Sequence, residues 1–332
     1  MITRIKRRTL ENFAIVILSI ALVFSVFLGV SFTGDVISAT NITNVSVLAR
    51  VNISNTEPNI TSIVIDDSLD TPANEIDLIA NGLRTVHCNA TVFDFNGAGD
   101  INASSVNATL YINSVGSQGT TDNNHRYRNE SCQRCTAQTA TTTQCDCQFA
   151  LQYYANDSSS WLCNVSLRDL GGSSGTLPLG DADVSSTPVT VTKLLAINTS
   201  TLLDYGNLSV SQTSGEMTHN VTNGGNINLN LSLRGFGGTD DIIGQNVTMI
   251  CEFGNITIGN QRYYVGSSGI PFADMITLTN QTVRTNGTFP SRVDDTNYGW
   301  DRNSTFWRLS VPFGVGGICN GTIIFGAVDA EV

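Results

Sequence analysis

Residues 226–234 read Asn-Ile-Asn-Leu-Asn-Leu-Ser-Leu-Arg, a strict alternation of polar and apolar side chains. Successive side chains of a β-strand point to opposite faces of the sheet, so this stretch predicts a half-buried strand with its leucines inside. The same period of two recurs in three other segments. These are residues 45–53, 147–153 and 161–167.

Beyond residue 40 the sequence has no convincing helical period. Short strand patterns punctuated by Gly, Asn and Asp predict an all-β fold, with two antiparallel Ig-like β-sandwich domains after an N-terminal hydrophobic helix. The Gly, Ser and Pro-rich residues 171–188 indicate the boundary between the sandwiches. We therefore expect a signal peptide or membrane anchor over residues 1–39, an Ig-like domain with a cysteine-rich insertion over 40–190, and a second sandwich over 191–332.

The N-terminal hydrophobic segment indicates export. Residues 13–30 (FAIVILSIALVFSVFLGV) carry no charge and directly follow a basic cluster. As a helix they would be about 27 Å long, which is close to the thickness of the bilayer hydrocarbon. The small residues Ile37-Ser38-Ala39 also fit a cleavage site, so a cleaved signal and a retained anchor both stay open. In either case residues 40–332 are expected outside the membrane.

The charge balance argues against nucleic acid as a partner. The chain has 17 basic and 28 acidic side chains and a net charge of −11, which would repel a polyanion. Charged residues make up only 14% of the chain, so something besides charge must keep the exported part in solution.

Sequons for N-glycosylation are the most frequent motif of the exported part. Of 33 asparagines, 20 stand in Asn-x-Ser/Thr, and none of these precedes the apolar segment. The alternative is that polar strands simply use Asn and Thr, although strands disfavour Asn. The predicted glycosylation sites are Asn41, Asn44, Asn52, Asn59, Asn89, Asn102, Asn107, Asn129, Asn156, Asn164, Asn198, Asn207, Asn220, Asn230, Asn246, Asn255, Asn280, Asn286, Asn303 and Asn320.

Two core disulfides follow from the phase of the strands. Cys88, Cys163 and Cys319 each begin the pattern Cys-Asn-x-Thr/Ser-apolar, which places Cys inside a strand and the sequon Asn outside. Trp161 shares the inward phase with Cys163 and would cover a disulfide there. We predict the pairs Cys88–Cys163 and Cys251–Cys319.

The other four cysteines admit two interpretations. Cys132 and Cys135 form Cys-x-x-Cys, and nine residues later Cys145 and Cys147 form Cys-x-Cys. Such spacing would suit zinc in a cytosolic protein. Outside the cell it favours a nested ladder, Cys132–Cys147 and Cys135–Cys145.

Four segments resemble secreted Ig-like cell-surface proteins of archaea. They are residues 55–60 (NTEPNI), 93–101 (FDFNGAGDI), 107–111 (NATLY) and 161–163 (WLC), and the resemblance covers roughly residues 50–170. Residues 203–207 and 222–226 resemble envelope and fibre β-domains more loosely. The resemblance implies an Ig-like fold and a surface location, and it implies no activity.

No catalytic motif is found. The sequence lacks His-Glu-x-x-His and a phosphate loop, and its histidines are His87, His125 and His219. His87 lies in the outward phase of its strand and is expected to be exposed. Tyr153, Tyr154 and Trp161 could form a platform for sugars, but the inward phase of Tyr153 and Trp161 favours the core. We therefore predict a protein that is not an enzyme.

One loop has the residue types of a calcium site. Asp94, Asn96 and Asp100 place three oxygen ligands around Gly97, as calcium loops do. The alternative is an Asx-turn at the end of a strand. No other cofactor is predicted.

The leading functional hypothesis is a non-enzymatic, glycosylated cell-envelope protein, either a surface-layer component or an adhesin. The alternative is a subunit of an extracellular thread or pilus built by β-strand donation, and a third class is a secreted carbohydrate-binding or hydrolase module. The expected partners are other envelope proteins or copies of the chain itself, the membrane if the anchor is retained, and surface glycans.

Residues 41–65 bear on the choice between a surface glycoprotein and a thread subunit, because a terminal strand can pair with its own sandwich or be donated. The sequons Asn41, Asn44, Asn52 and Asn59 favour self-packing, since their glycans would crowd a junction between copies.

Overall fold

The computed structural model describes residues 46–67, 74–132, 134–171, 180–238, 246–296 and 299–331. The chain divides into two units, Met1–Asn52 and Ile53–Val332. Of the first unit, the described residues 46–52 form no helix or strand and are exposed. The hydrophobic segment 13–30 lies outside the described ranges. Among the described residues, no helix is long and apolar enough to cross a membrane.

The unit Ile53–Val332 is all-β, as the sequence predicts, and its described part contains short 3-10 turns but no α-helix. We call residues 53–192 the first block and residues 193–331 the second block. The strands of the first block are β1 (Asn59–Asp66), β2 (Glu75–Ile76), β3 (Leu83–Phe93), β4 (Asn107–Ile112), β5 (Arg126–Asn129), β6 (Arg134–Ala137), β7 (Thr142–Gln152), β8 (Trp161–Arg168), β9 (Gly180–Val184) and β10 (Thr190–Val191).

The first block is an antiparallel sandwich. One sheet has the order β1-β3-β7-β6, the other has the order β5-β4-β8-β9, and a short parallel pair joins β10 to β2. Period-two strands put alternate side chains inside, as in β8, where every second residue from Trp161 is buried. The resulting core is closed, with Trp161, Cys163 and Leu151 at 0% exposure.

The second block contains eleven strands in its described residues. They are β11 (Ile197–Thr199), β12 (Met217–Asn223), β13 (Leu229–Phe236), β14 (Val247–Phe253), β15 (Asn255–Thr257), β16 (Gln261–Val265), β17 (Ile276–Thr277), β18 (Val283–Phe289), β19 (Arg302–Leu309), β20 (Gly316–Asn320) and β21 (Thr322–Asp329). The sheets have the orders β11-β12-β19-β16-β17, β18-β13-β21 and β15-β14-β20.

The predicted strand of residues 226–234 appears as β13, shifted towards the C-terminus. Its leucines at 229, 231 and 233 are buried, and with Trp307 and Phe289 they form the centre of a separate core. Gly321 joins β20 to β21 where the chain passes against the carbonyl oxygen of Thr248, which leaves no room for a Cβ. Strands β20 and β21 therefore run almost continuously from one sheet into the next.

The two blocks meet at a polar junction. The buried amide of Asn226 donates to the carbonyl oxygens of Ala155 (3.0 Å) and Thr192 (2.9 Å) and accepts from the amide of Leu194 (2.7 Å). Asn81 N also donates to Gly224 O (3.1 Å). Buried amides bonded in this way fix the orientation of the segments that they join.

Candidate functional site

Strand β21 forms an open edge of the second block. Within the ranges that the structure covers, it pairs with β13 on one side and with no strand on the other. Its register opposes Ala327 to Leu231 and Phe325 to Leu233, so both side chains face the core. They are only half-buried, whereas the leucines of β13 are fully buried. The core is thus incompletely covered along this edge.

A groove of about 1200 Å³ follows the edge. It lies between β20 and β21 on one side and β11 with the following loop on the other. Its apolar lining includes Ile197, Leu203, Leu208, Val315, Ile323 and Phe325. Strand β11 is itself the edge of its sheet in the described residues. The groove therefore separates two sheet edges, which is the position that a further strand would occupy in a closed sandwich.

Aromatic side chains form the floor of the groove. Phe325 stacks on His219 with ring centroids 4.9 Å apart and meets the edge of Trp307 at 5.9 Å. Towards the other end, Tyr205 Oη accepts a hydrogen bond from Gln261 Nε2 (2.8 Å), and burial raises the pKa of the tyrosine hydroxyl. The floor is therefore aromatic, and the Tyr205 hydroxyl in it is hydrogen-bonded.

Residues 46–53, here called the arm, carry apolar side chains that are exposed to solvent. They form no strand, and their alternating apolar side chains Val47, Val51 and Ile53 are 85%, 79% and 78% exposed. The prediction that residues 41–65 pack as a strand on the first domain is therefore wrong for residues 47–53 but confirmed for residues 59–65, which belong to β1. The physical reason is that β1 takes the available edge of β3, pairing from Asn59 to Asp66. Val45 lies outside the described residues.

Asn96 binds residues 54–56, which follow the arm and are here called its base. Asn96 Oδ1 accepts from Thr56 N (2.7 Å) and Thr56 Oγ1 (2.6 Å), and Asn96 Nδ2 donates to Ser54 O (3.2 Å). Asn96 follows the end of β3, whereas the beginning of β3 follows Asn81, which contacts the second block. Eleven residues of strand separate these ends by about 33 Å, so residues 54–56 are held far from the junction.

Three carboxylates meet beside the base of the arm. One oxygen each of Asp94, Asp100 and Asp169 lies within 4.8 Å of the others. The structure therefore brings together two of the three predicted calcium ligands and adds Asp169. The third, Asn96, bonds residues 54 and 56 with its side chain in this structure. No local pattern predicts Asp169, which follows β8 and comes close through the pairing of Ile101 with Asp169.

All eight cysteines are paired, and all eight lie in the described residues. The pairs are Cys88–Cys163, Cys132–Cys147, Cys135–Cys145 and Cys251–Cys319, the same as the sequence predicts. Cys88–Cys163 links the two sheets of the first block, with Trp161 buried beside it. The cysteine-rich insertion is the hairpin β6–β7, so the zinc alternative is wrong.

The remaining predicted residues are dispersed. His87 is half-buried and its Nδ1 lies 2.9 Å from Asp146 Oδ1, so the prediction of an exposed side chain is wrong. His125 contacts Asp122 (3.3 Å) in a separate turn. Tyr153 donates to Asp301 Oδ2 (3.1 Å) across the junction, and Tyr154 bonds Asp295 there. These tyrosines hold the two blocks together instead of forming an open platform for sugars.

The sequon asparagines differ in accessibility. Asn320 is exposed, and Asn89 and Asn164 are half-buried beside inward cysteines. Asn230 is only 9% exposed, because Arg284 and Thr288 of the neighbouring strand β18 hydrogen-bond its side chain. The expectation that Asn230 points freely outward is therefore wrong.

Comparisons with known proteins give weak structural likenesses. No family model matches the chain, and no curated protein matches it. A chain from the chaperone–tip adhesion subunit pre-assembly complex of the archaic chaperone–usher Csu pili of Acinetobacter baumannii is similar at a TM-score of 0.36 and 10% identity, over 76% of this chain and 96% of that one.

Two further solved structures resemble this chain with lower TM-scores. A chaperone–tip adhesin complex of CFA/I fimbriae biogenesis gives a TM-score of 0.30 and 10% identity, over 85% of this chain and 90% of that one. The CupB6 tip adhesin of Pseudomonas aeruginosa gives a TM-score of 0.24 and 9% identity, over 82% of this chain and 94% of that one. At TM-scores of this size we draw no argument from them.

Proposed function

We propose that this chain is a non-enzymatic extracellular protein that assembles into a fibre by strand donation. The arm of one copy would add to β21 of the next copy and fill its groove. The observation that carries the proposal is the presence, among the described residues of one chain, of an exposed strand-like segment that pairs with no described strand and of an open sheet edge above an incompletely covered core.

The two parts match in period and in chemistry. Val47, Ala49, Val51 and Ile53 alternate along the arm, and Ile323, Phe325 and Ala327 alternate along β21. An added strand satisfies the free backbone groups of the edge while its apolar side chains enter the core. Burying each Val or Ile contributes about 1.5–3 kcal/mol, so Val47, Val51 and Ile53 together would hold the strand firmly.

Donation in this arrangement produces a fibre. The donor surface is the arm and the acceptor surface is the edge of β21, so the two surfaces differ. A contact between unlike surfaces repeats from copy to copy and gives an open chain unless the rotation closes a ring.

The exported nature of the protein supports a role on the cell surface. Four disulfides suit an oxidising compartment. Cleavage after Ala39 would leave the arm near the mature N-terminus, where it is free to reach another copy, whereas a retained anchor would restrain it. The surface-layer or adhesin hypothesis remains compatible as the place and purpose of such fibres. In this proposal, donation of the arm to another copy replaces the self-packing that the surface-layer or adhesin hypothesis relied on.

Glycans are compatible with donation. Asn52 lies in the phase opposite to Val51 and Ile53, so a sugar on it would point away from the groove. The crowding expected from sequons in the arm therefore does not apply to Asn52.

The test compares two substitutions that differ only in phase. Residues 40–332 would be purified unmodified as the parent, as Val51→Asp and as Asn52→Asp, and examined by analytical ultracentrifugation and negative-stain electron microscopy. Both positions are exposed in the single chain, so neither change should affect its folding. We expect fibres from the parent and from Asn52→Asp and monomers from Val51→Asp, because the groove cannot accept a carboxylate without a partner. Fibres from both variants, or monomers from the parent, would contradict the proposal.

A further inference from the structure

The acidic cluster beside the base of the arm has the spacing of a calcium site. Calcium binds oxygen at 2.3–2.6 Å, so ligands on opposite sides of the ion lie about 4.6–5.2 Å apart. The oxygens of Asp94, Asp100 and Asp169 are all within 4.8 Å of one another, so a single ion could contact all three.

A buried oxygen without a hydrogen-bond donor lies in this cluster. Asp94 is 0% exposed; its Oδ1 accepts from Asn96 N (2.7 Å), but its Oδ2 is buried and has no hydrogen-bond partner among the described residues. An unsatisfied buried carboxylate oxygen is strongly unfavourable in a folded protein. A cation would satisfy it.

The charges of the cluster also repel one another. Asp94 and Asp169 are both fully buried, and Asp100 is half-buried between them. Burial, followed by the charges of Asp94 and Asp169, raises the pKa of the Asp100 carboxyl. Like charges at this distance oppose ionisation unless a cation lies between them.

We propose that Asp94, Asp100 and Asp169 bind one calcium ion, which joins the two sheets of the first block and fixes the base of the arm. Asp94 and Asp100 follow β3 of one sheet, and Asp169 follows β8 of the other. Asn55 Nδ2 donates to Asp169 Oδ2 (2.7 Å), so residue 55 would be held against the occupied site.

The donor set selects calcium over other common ions. It consists of carboxylate oxygens, whereas zinc sites use His and Cys. Magnesium prefers ligands at 2.0–2.1 Å in a strict octahedron with several waters, which two fully buried carboxylates suit less well. Calcium tolerates irregular coordination by carboxylates, amide oxygens and water from separate segments.

The consequence for the arm rests on the proposed function, whereas the site itself does not. An ion that orders residues 54–56 would give the arm a fixed direction on leaving the first block. Pre-ordering of a donated segment lowers the entropy lost on binding. We therefore expect calcium to speed fibre growth as well as to stabilise the first block.

Binding is tested on a chain that does not assemble. Calcium chloride would be titrated into metal-free Val51→Asp chain by calorimetry, and melting would be followed with calcium or with EDTA. We expect one site per chain and a rise in melting temperature of at least about 4 °C at saturating calcium. Asp94→Asn and Asp100→Asn should each weaken calcium binding at least about 10-fold, and the half-exposed Asp100 gives a variant that keeps the fold. Asp183→Asn, an exposed carboxylate of the same block, is the matched control and should bind as the parent does.

The outcomes separate the two proposals. No binding heat together with identical melting in calcium and EDTA would overturn the calcium site and leave fibre assembly untouched. Equal weakening by Asp183→Asn would also overturn it, because binding would then reflect general negative charge. Stoichiometric binding by a chain whose parent never forms fibres would support the calcium site and contradict strand donation.

Discussion

The ring of Phe325 lies against that of His219 on the opposite sheet, with centroids 4.9 Å apart and planes inclined by 22°. His219 is buried, but Phe325 is only half-buried, because no described strand covers the outer edge of β21. The pair marks the place where the core of the second block is exposed to solvent. A donated strand would therefore contribute most to the burial of the core at this pair.

Phe325→Ala should weaken the binding of the arm. A peptide of residues 44–54 titrated into the Val51→Asp chain should bind at least about 10-fold less tightly when Phe325 is removed, since a large apolar contact on the floor is lost. Val328→Ala, on the other face of β21 and outside the lining of the groove, is the control and should change peptide affinity by less than about 2-fold. Equal losses at 328 and 325 would exclude the groove as the binding surface.

Removing Cys251–Cys319 should lower stability more than removing Cys135–Cys145. The cysteines of the first pair are 68 residues apart in sequence and those of the second are 10 apart, so the first restricts the unfolded chain more. The chain-entropy account gives a difference of about 1–2 kcal/mol in the free energy of unfolding. Urea unfolding of the two double Cys→Ser variants measures it. A larger loss from Cys135–Cys145 would contradict the account.

Asn226→Ala should loosen the junction between the blocks. It removes three buried hydrogen bonds and leaves the carbonyl oxygens of Ala155 and Thr192 without a donor. We expect a loss of about 2–4 kcal/mol and faster hydrogen exchange at the amide of Leu194. Asn228→Ala is the exposed control two residues away and should leave exchange at residue 194 unchanged.

Glycan occupancy should follow the structure instead of the sequon count. Asn320 is exposed, whereas the amide of Asn230 is covered by Arg284 and Thr288. Glycopeptide mapping of the protein from its native host should find Asn320 modified and Asn230 unmodified. A full glycan on Asn230 would mean that β18 does not pack there in the mature protein.

Features within one strand were predictable from the sequence. The period of two placed Leu229 and Leu231 inside, and the inward phase of Cys88 and Cys163 led to their pairing. These predictions succeed because alternation along a strand is a local property.

Features that depend on pairing between distant segments were not predictable. The alternation of residues 45–53 is that of a strand, but β1 takes the edge of β3, so the arm has no partner in its described surroundings. Asp169 joins Asp94 only because the ends of β3 and β8 meet. The groove arises from the order of strands in two sheets, which the local period does not encode.

Cross-linking between isotopically distinct copies tests strand donation most directly. Light chains of residues 40–332 carrying a photo-reactive phenylalanine analogue at Leu48 would be mixed with heavy, unsubstituted chains, allowed to assemble, irradiated and digested. Donation predicts cross-links from residue 48 of light chains to residues 315–329 of heavy chains, lost when Val51→Asp is added. Cross-links confined to a single chain, or joining the arm to the first block of another copy, would contradict the account.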